Sequence, residues 1–144
     1  MLISRGDATP GERCNMTQII PCLQYRDGHG AIAWLERAFG FVKHVAYDGE
    51  DGQVAHAELR LGEAFIMLGS NENPVFNWKS PRDAGYVTQS VYIVVEDPDA
   101  LCRRAREAGA EIVRNLEDTD YGSREFSARD PEGHLWHFGT YAPG

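Results

Sequence analysis

The second half of this chain replays the first. Residues 18–25 (QIIPCLQY) form an apolar run with β character that ends in the turn Arg26-Asp27-Gly28. Ile32, Leu35 and Phe39 then recur at helical spacing, and Gly40 stands where a helix stops. Three strand-like pieces follow at about 41–48, 53–61 and 63–68, the last two joined by a tight turn at Gly62. Further on, residues 89–95 (QSVYIVV) again read as a strand, and Glu96-Asp97-Pro98-Asp99 opens a helix with acids and proline in its first turn. Leu101, Ala105 and Ala108 mark the buried face of that helix and Gly109 ends it. Strands near 111–116, 122–130 and 134–141 complete the copy, with the turn Asp130-Pro131-Glu132-Gly133 between the last two. Asp27 and Asp97 lie 70 positions apart, Gly40 and Gly109 lie 69 apart, and Gly62 and Gly133 lie 71 apart. Three landmarks in one register predict an internal duplication.

Each unit reads βαβββ, so the expected class is α+β. One helix cannot cover both faces of four strands. Two tandem βαβββ modules can instead curl into a mixed sheet around a shared cup, which is then the natural ligand site. The expected division is an N-terminal appendage, 1–15, followed by one domain, 16–141. Within it, module one is 16–69, the linker 70–87 and module two 88–141. The linker is long for a compact domain and carries Phe76, Trp78 and Tyr86. Loops of that length serve function or move; the alternative is aromatics pinned on the surface or in a dimer contact.

With 144 residues, 42% hydrophobic and 25% charged, the chain falls in the globular range. A net charge of −8 argues against nucleic acid or an anionic membrane as partner. No apolar run approaches the roughly 20 residues needed to span a bilayer. The three cysteines, Cys14, Cys22 and Cys102, form no C-x-x-C pair. Neither a disulfide framework nor a zinc ribbon is indicated, and reduced thiols in the cytoplasm are expected. No G-x-S-x-G, dinucleotide fingerprint or P-loop is present, and Gly28-His29-Gly30 reads as a flexible turn.

The helix ending AFGF (38–41), the hairpin HAELRLGEAFIML (56–68) and the ending FSARDPEGHLWHFGTY (126–141) add to the repeat. Together they resemble the vicinal oxygen chelate superfamily, the glyoxalase, bleomycin resistance protein and extradiol dioxygenase group. The resemblance covers about residues 16–141. It implies the glyoxalase/bleomycin resistance fold, which hosts lyases, isomerases, dioxygenases, fosfomycin-modifying transferases and drug-binding proteins linked to antibiotic resistance.

Metal-dependent members of that family supply His, Glu or Gln from four cup-facing positions. By the resemblance these fall at Ile20, seven residues before Asp27, at Glu58, at Ser90, seven before Asp97, and at His137. Two of the four are an alkyl group and a weakly ligating hydroxyl. Only Glu58 and His137 are competent, and even open catalytic zinc sites normally keep three protein ligands. His56 shares a strand face with Glu58 by the period of two. The other reading makes Glu58 a wall carboxylate bonded to Gln24 or Arg60 and His137 a satisfied barrel histidine. His29 is expected in an exposed loop, His44 and His134 on strand surfaces, and Trp136 and Phe138 under a helix.

The expected function is therefore small-molecule binding of the bleomycin-resistance type, without a cofactor, in a cup completed by a homodimer. Ile20, Cys22, Gln24, His56, Glu58, Ser90, Tyr92, Val94, Leu135 and His137 would line it, with Phe76 and Trp78 as stacking groups. An aromatic or cationic ligand suits such walls. The alternative is a glyoxalase-like lyase, isomerase or dioxygenase that holds one divalent metal ion, or runs acid–base chemistry, through Glu58 and His137.

Overall fold

Asp27 and Asp97 do the same job in the two halves. Each is the N-cap of a helix, and each side chain accepts from the backbone N–H three residues on, Gly30 at 2.9 Å and Ala100 at 3.1 Å. The glycines that mark the repeat all have positive φ: Gly40 at 83°, Gly62 at 60°, Gly109 at 92° and Gly133 at 90°. The duplicated landmarks are thus backbone positions that a side chain would strain.

The structure, a computed structural model, describes residues 17–144. The appendage at 1–15 and Cys14 lie outside them. Module one runs β1 (Cys22–Gln24), α1 (Gly28–Phe39), β2 (Val42–Asp48), β3 (Val54–Leu61) and β4 (Ala64–Gly69). The linker holds a short helix, α2 (Pro81–Ala84). Module two runs β5 (Ser90–Val94), α3 (Pro98–Glu107), β6 (Glu111–Asp118), β7 (Arg124–Arg129) and β8 (Leu135–Gly139). The first sheet has the order β1-β4-β3-β2 and the second β5-β8-β7-β6, with the first pair parallel in each. The duplication therefore extends to strand order. Among the described residues no helix is long and apolar enough to cross a membrane.

Three local expectations need correction. Gly28-His29-Gly30 is not a turn but the first turn of α1. The Asp27 cap outweighs the poor helix propensity of glycine. Gly28 is also needed for close approach, since a Cβ there would meet Val54 at 2.8 Å. His29 belongs to that helix and reaches the Gly52 carbonyl at 3.2 Å. The linker is not all loop, because Ser80 caps α2, Pro81 opens it and Gly85 closes it at φ 93°. His134 does not sit on a strand surface. Its Nε2 contacts the Gln24 carbonyl at 2.8 Å, and its ring lies 4.6 Å from that of Tyr25.

Both modules feed one core. Phe39 of α1 packs against Trp136 and Phe138 of β8, with ring centroids 5.4 and 4.7 Å apart. As the period of two predicts, Trp136 and Phe138 are fully buried, while His137 between them turns to the opposite face. The helices are tied as well. The Trp34 indole donates to the Ala108 carbonyl at 2.8 Å, and Arg104 donates to the carbonyls of Arg37 and Glu36 that end α1. Because Phe39 belongs to both halves of this core, Phe39→Ala should destabilise the whole chain by about 3–5 kcal/mol. Thermal unfolding followed by near- and far-ultraviolet circular dichroism should keep one shared transition. Separate melting of the two modules would contradict the shared core.

Candidate functional site

On β3, Ala57 and Leu59 pack into the core while His56 and Glu58 face away from it. His56 Nε2 lies 2.9 Å from Glu58 Oε2, an i, i+2 pair on one strand face. The partner of Glu58 is therefore His56, in place of the expected Gln24 or Arg60. Gln24 instead donates to the Asn71 carbonyl at 2.9 Å, and Arg60 to the Gly62 carbonyl at 3.0 Å. The Glu58 side chain keeps 22% of its surface exposed and that of His56 42%, so the pair is worth at most about 1 kcal/mol. It organises an open face more than it stabilises one.

The corresponding face of module two is more elaborate. His137 pairs in register with Tyr92 on β5 and Ser127 on β7. Ser127 Oγ lies 2.7 Å from His137 Nδ1 and accepts from Arg114 Nε at 3.2 Å. Arg114 also donates to Glu125 and Glu117, both at 3.0 Å, and the Tyr121 hydroxyl donates to Glu125 at 3.0 Å. Ser127 is buried, and His137 is the acceptor its hydroxyl hydrogen can reach. Nδ1 is then the acceptor, and the ring carries its proton on Nε2 as an outward donor. Burial lowers the His137 pKa, the Arg114 guanidinium lowers it further, and Glu125 opposes both. Burial works against ionised Glu125, but hydrogen bonds led by that of Arg114 hold its carboxyl below the ordinary range.

Tyr92, Arg114, Tyr121, Glu125, His137 and Tyr141 line a pocket of about 600 Å³ here. The Tyr92 hydroxyl donates to the Tyr141 carbonyl at 2.8 Å and closes one side. Sequence reasoning named Tyr92 and His137 but missed Arg114, Tyr121, Glu125, Ser127 and Tyr141. The signal for Glu125 and Ser127 was present, since they alternate with the buried Phe126 and Ala128.

The model for the Glyoxalase/Bleomycin resistance protein/Dioxygenase superfamily matches residues 16–138. The chain belongs to this superfamily. It is 35% identical over 121 residues to an uncharacterized protein of Mycobacterium bovis, a match covering 83% of this chain and 80% of that one. A Mycobacterium tuberculosis protein matches at 35% over 121 residues, with 71% of its length covered. Among solved structures, TioX from Micromonospora sp. ML1 shares 31% identity at a TM-score of 0.71, over 88% of this chain and 99% of that one. The fosfomycin resistance protein FosX from Mesorhizobium loti aligns at a TM-score of 0.64 and 14% identity, over 88% and 93% of the two chains, which shows the fold alone.

The ten expected cup residues of this superfamily member do not share one cavity within the chain. Ile20, Tyr92 and Val94 line an apolar groove of about 870 Å³ between the modules, with Phe39, Phe65 and Leu101. His137 lines the module-two pocket, and Gln24 and Trp78 a third cavity under the linker. His56 and Glu58 stand outside all of these, on the open face. Cys22 and Ser90 are exposed and Leu135 is half-buried. Phe76, mostly exposed, packs edge-on to Trp78 at 5.6 Å and lies outside the linker cavity.

The metal that the superfamily implies does not fit the residues present. Of the four positions, Ile20 offers no donor atom and Ser90 only a neutral hydroxyl, which leaves Glu58 and His137, fewer than the three protein ligands an open zinc site keeps. Among the described residues no group of three His, Cys, Asp or Glu side chains is gathered.

His137 should titrate below the ordinary imidazole value of 6.5, as its lowered pKa requires. Since the unfolded chain takes up this proton first, the contribution of His137 to stability is full at neutral pH. It declines as pH falls through 6.5 toward the lower folded value. A ring-proton NMR titration checks this. A midpoint at or above 6.5 would contradict the geometry.

Proposed function

We propose that this chain is a small-molecule-binding protein of the bleomycin-resistance type, working without a metal in a chamber that a second copy completes. The observation that carries the reading is the preorganised network His137–Ser127–Arg114–Glu125 beside three tyrosines. It holds an imidazole N–H donor, a buried carboxylate and aromatic walls in fixed geometry, which is what a binding site needs. Tyr92, Tyr121 and Tyr141 suit an aromatic or cationic ligand by stacking or cation–π contact, and the net charge of −8 favours a cation.

Two features support completion by a second copy. The face bearing Glu58 and the face bearing Tyr92 and Val94 are open in one chain, with Tyr92 37% and Val94 49% exposed. The faces are also complementary, one offering a carboxylate and the other an imidazole N–H and a guanidinium. A two-fold dimer that set one against the other would enclose a chamber.

The test joins sedimentation, elemental analysis and titration with bleomycin and smaller aromatic cations. The expected outcome is a dimer at micromolar concentration, no stoichiometric divalent metal, and saturable binding. Zinc, manganese, nickel or iron near one equivalent per chain would instead favour the metalloenzyme reading through Glu58 and His137. Glu58→Gln keeps an acceptor for His56 while removing the charge. It should shift stability by no more than about 1 kcal/mol. It should weaken binding of a cationic ligand by about 10- to 150-fold, as expected for loss of a charge-assisted hydrogen bond. Unchanged affinity would remove Glu58 from the site.

A further inference from the structure

His137 and Gly139 point to the same face of β8, by the period of two. Gly139 is buried inside a strand, where glycine is a poor choice. Its backbone is that of an ordinary strand, so nothing in its φ calls for glycine. The space beside it does. A Cβ at this position would meet the Tyr92 hydroxyl oxygen at 2.5 Å and Cγ of Glu125 at 2.6 Å. Side chains do not approach that closely, so the missing side chain is what admits both groups.

Tyr92 lies in register with His137, while Gly139 lies in register with Val94 and Glu125. The Tyr92 side chain therefore runs diagonally across the sheet, from the level of His137 to that of Gly139. There its hydroxyl donates to the Tyr141 carbonyl at 2.8 Å. A ring laid in that direction leaves the imidazole uncovered.

Module one shows that the fold alone does not require this seat. Gly69 lies two residues beyond Met67 as Gly139 lies two beyond His137, and Cys22 stands where Tyr92 does. A Cβ at Gly69 would meet the carbonyls of Val54 and Ala55 at 3.3 Å, so that glycine answers to main chain. Both modules have the glycine, and only module two seats an aromatic ring on it.

We propose that Gly139 is a positioning residue of the module-two pocket, which seats Tyr92 against β8 and thereby keeps His137 open to a ligand. This rests on the reading of that pocket as the binding site. An alanine here suits the backbone but not the space. Glu125 is 4% exposed and held by Arg114 and Tyr121, so it has little room to yield. Tyr92, 37% exposed, is the group free to move. Once displaced it loses the Tyr141 carbonyl, and its other staggered positions bring the ring up beside and over His137.

Diethyl pyrocarbonate reads this without any ligand, because it acylates accessible neutral imidazoles. Modification of each histidine is followed by peptide mass spectrometry, with the exposed His29 as internal reference. In Gly139→Ala, His137 should react at least about fivefold more slowly relative to His29, since overpacking opposes the return of the ring to its seat. General loosening of the fold would act in the other direction and speed the reaction of His137 and of His134 together. Tyr92→Ala added to Gly139→Ala should restore the parent rate. In the unaltered protein, nuclear Overhauser contacts should join the Tyr92 ring to the Gly139 α protons, which tests the seat even where the alanine variant does not fold. The proposal is overturned if His137 keeps its rate in Gly139→Ala, if Tyr92→Ala fails to restore a slowed rate, or if those contacts are missing. Failure of bleomycin and aromatic cations to bind the unaltered protein would instead sink the pocket reading, while the seat of Tyr92 is decided by these readouts alone.

Discussion

The buried carboxylate of Asp130 holds the two modules in one piece. Its Oδ1 accepts from the backbone N–H groups of Glu132 and His134, both at 3.0 Å. Its Oδ2 accepts from the Tyr25 hydroxyl at 2.6 Å and the Trp136 indole at 3.1 Å. Four donors match the lone pairs of an ionised carboxylate, so the charge is buried without an unmet acceptor. Burial, and after it the neighbouring Asp130 charge, raises the Tyr25 pKa well above its ordinary value and keeps that donor protonated. The next residues of the same turn extend the tie. Glu132 accepts from the N–H groups of Arg26 and Asp27, where α1 begins, and His134 reaches the Gln24 carbonyl. One turn of module two thereby completes the end of β1 in module one. The seam of Phe39, Trp136 and Phe138 packs on the apolar side of the same joint.

This joint explains which parts of the structure were legible in the sequence. The repeat is carried by aspartate caps and positive-φ glycines, whose meaning is local and can be read without a partner. Strand parity is local too, and it placed Trp136 and Phe138 inward and His56, Glu58 and His137 outward. The partners of polar side chains are set by long-range geometry, which parity does not specify. Glu58 pairs with His56 because β3 holds them on one face, while Gln24 is drawn away because β1 ends beneath the linker. The short helix after Ser80-Pro81 did carry a readable signal, a serine cap followed by proline, and the aromatic residues before it obscured that reading.

Strand register shows how the duplicated scaffold diverged. Cys22 lies opposite Met67 in the first sheet as Tyr92 lies opposite His137 in the second. Glu58 likewise faces Met67 as Ser127 faces His137. The triplet Cys22, Glu58 and Met67 thus corresponds to Tyr92, Ser127 and His137. Within these triplets the first module has a carboxylate where the second has a hydroxyl, and a thioether where the second has an imidazole. The triplets therefore offer no symmetric set of ligands.

What replaces it is asymmetric polarity. In module two, serine takes the glutamate position, and its small hydroxyl lets Arg114 approach the imidazole. The arginine lowers the proton affinity of His137 and is itself balanced by Glu125. A histidine kept neutral in this way is a poor partner for an anion and a good hydrogen-bond donor at neutral pH. In module one, methionine takes the histidine position, and a soft, adaptable wall stands beside the carboxylate. The two faces therefore differ in chemistry, one presenting a charge beside an adaptable wall, the other a directed N–H and aromatic walls. Two modules of the same strand order thus carry unequal polar surfaces.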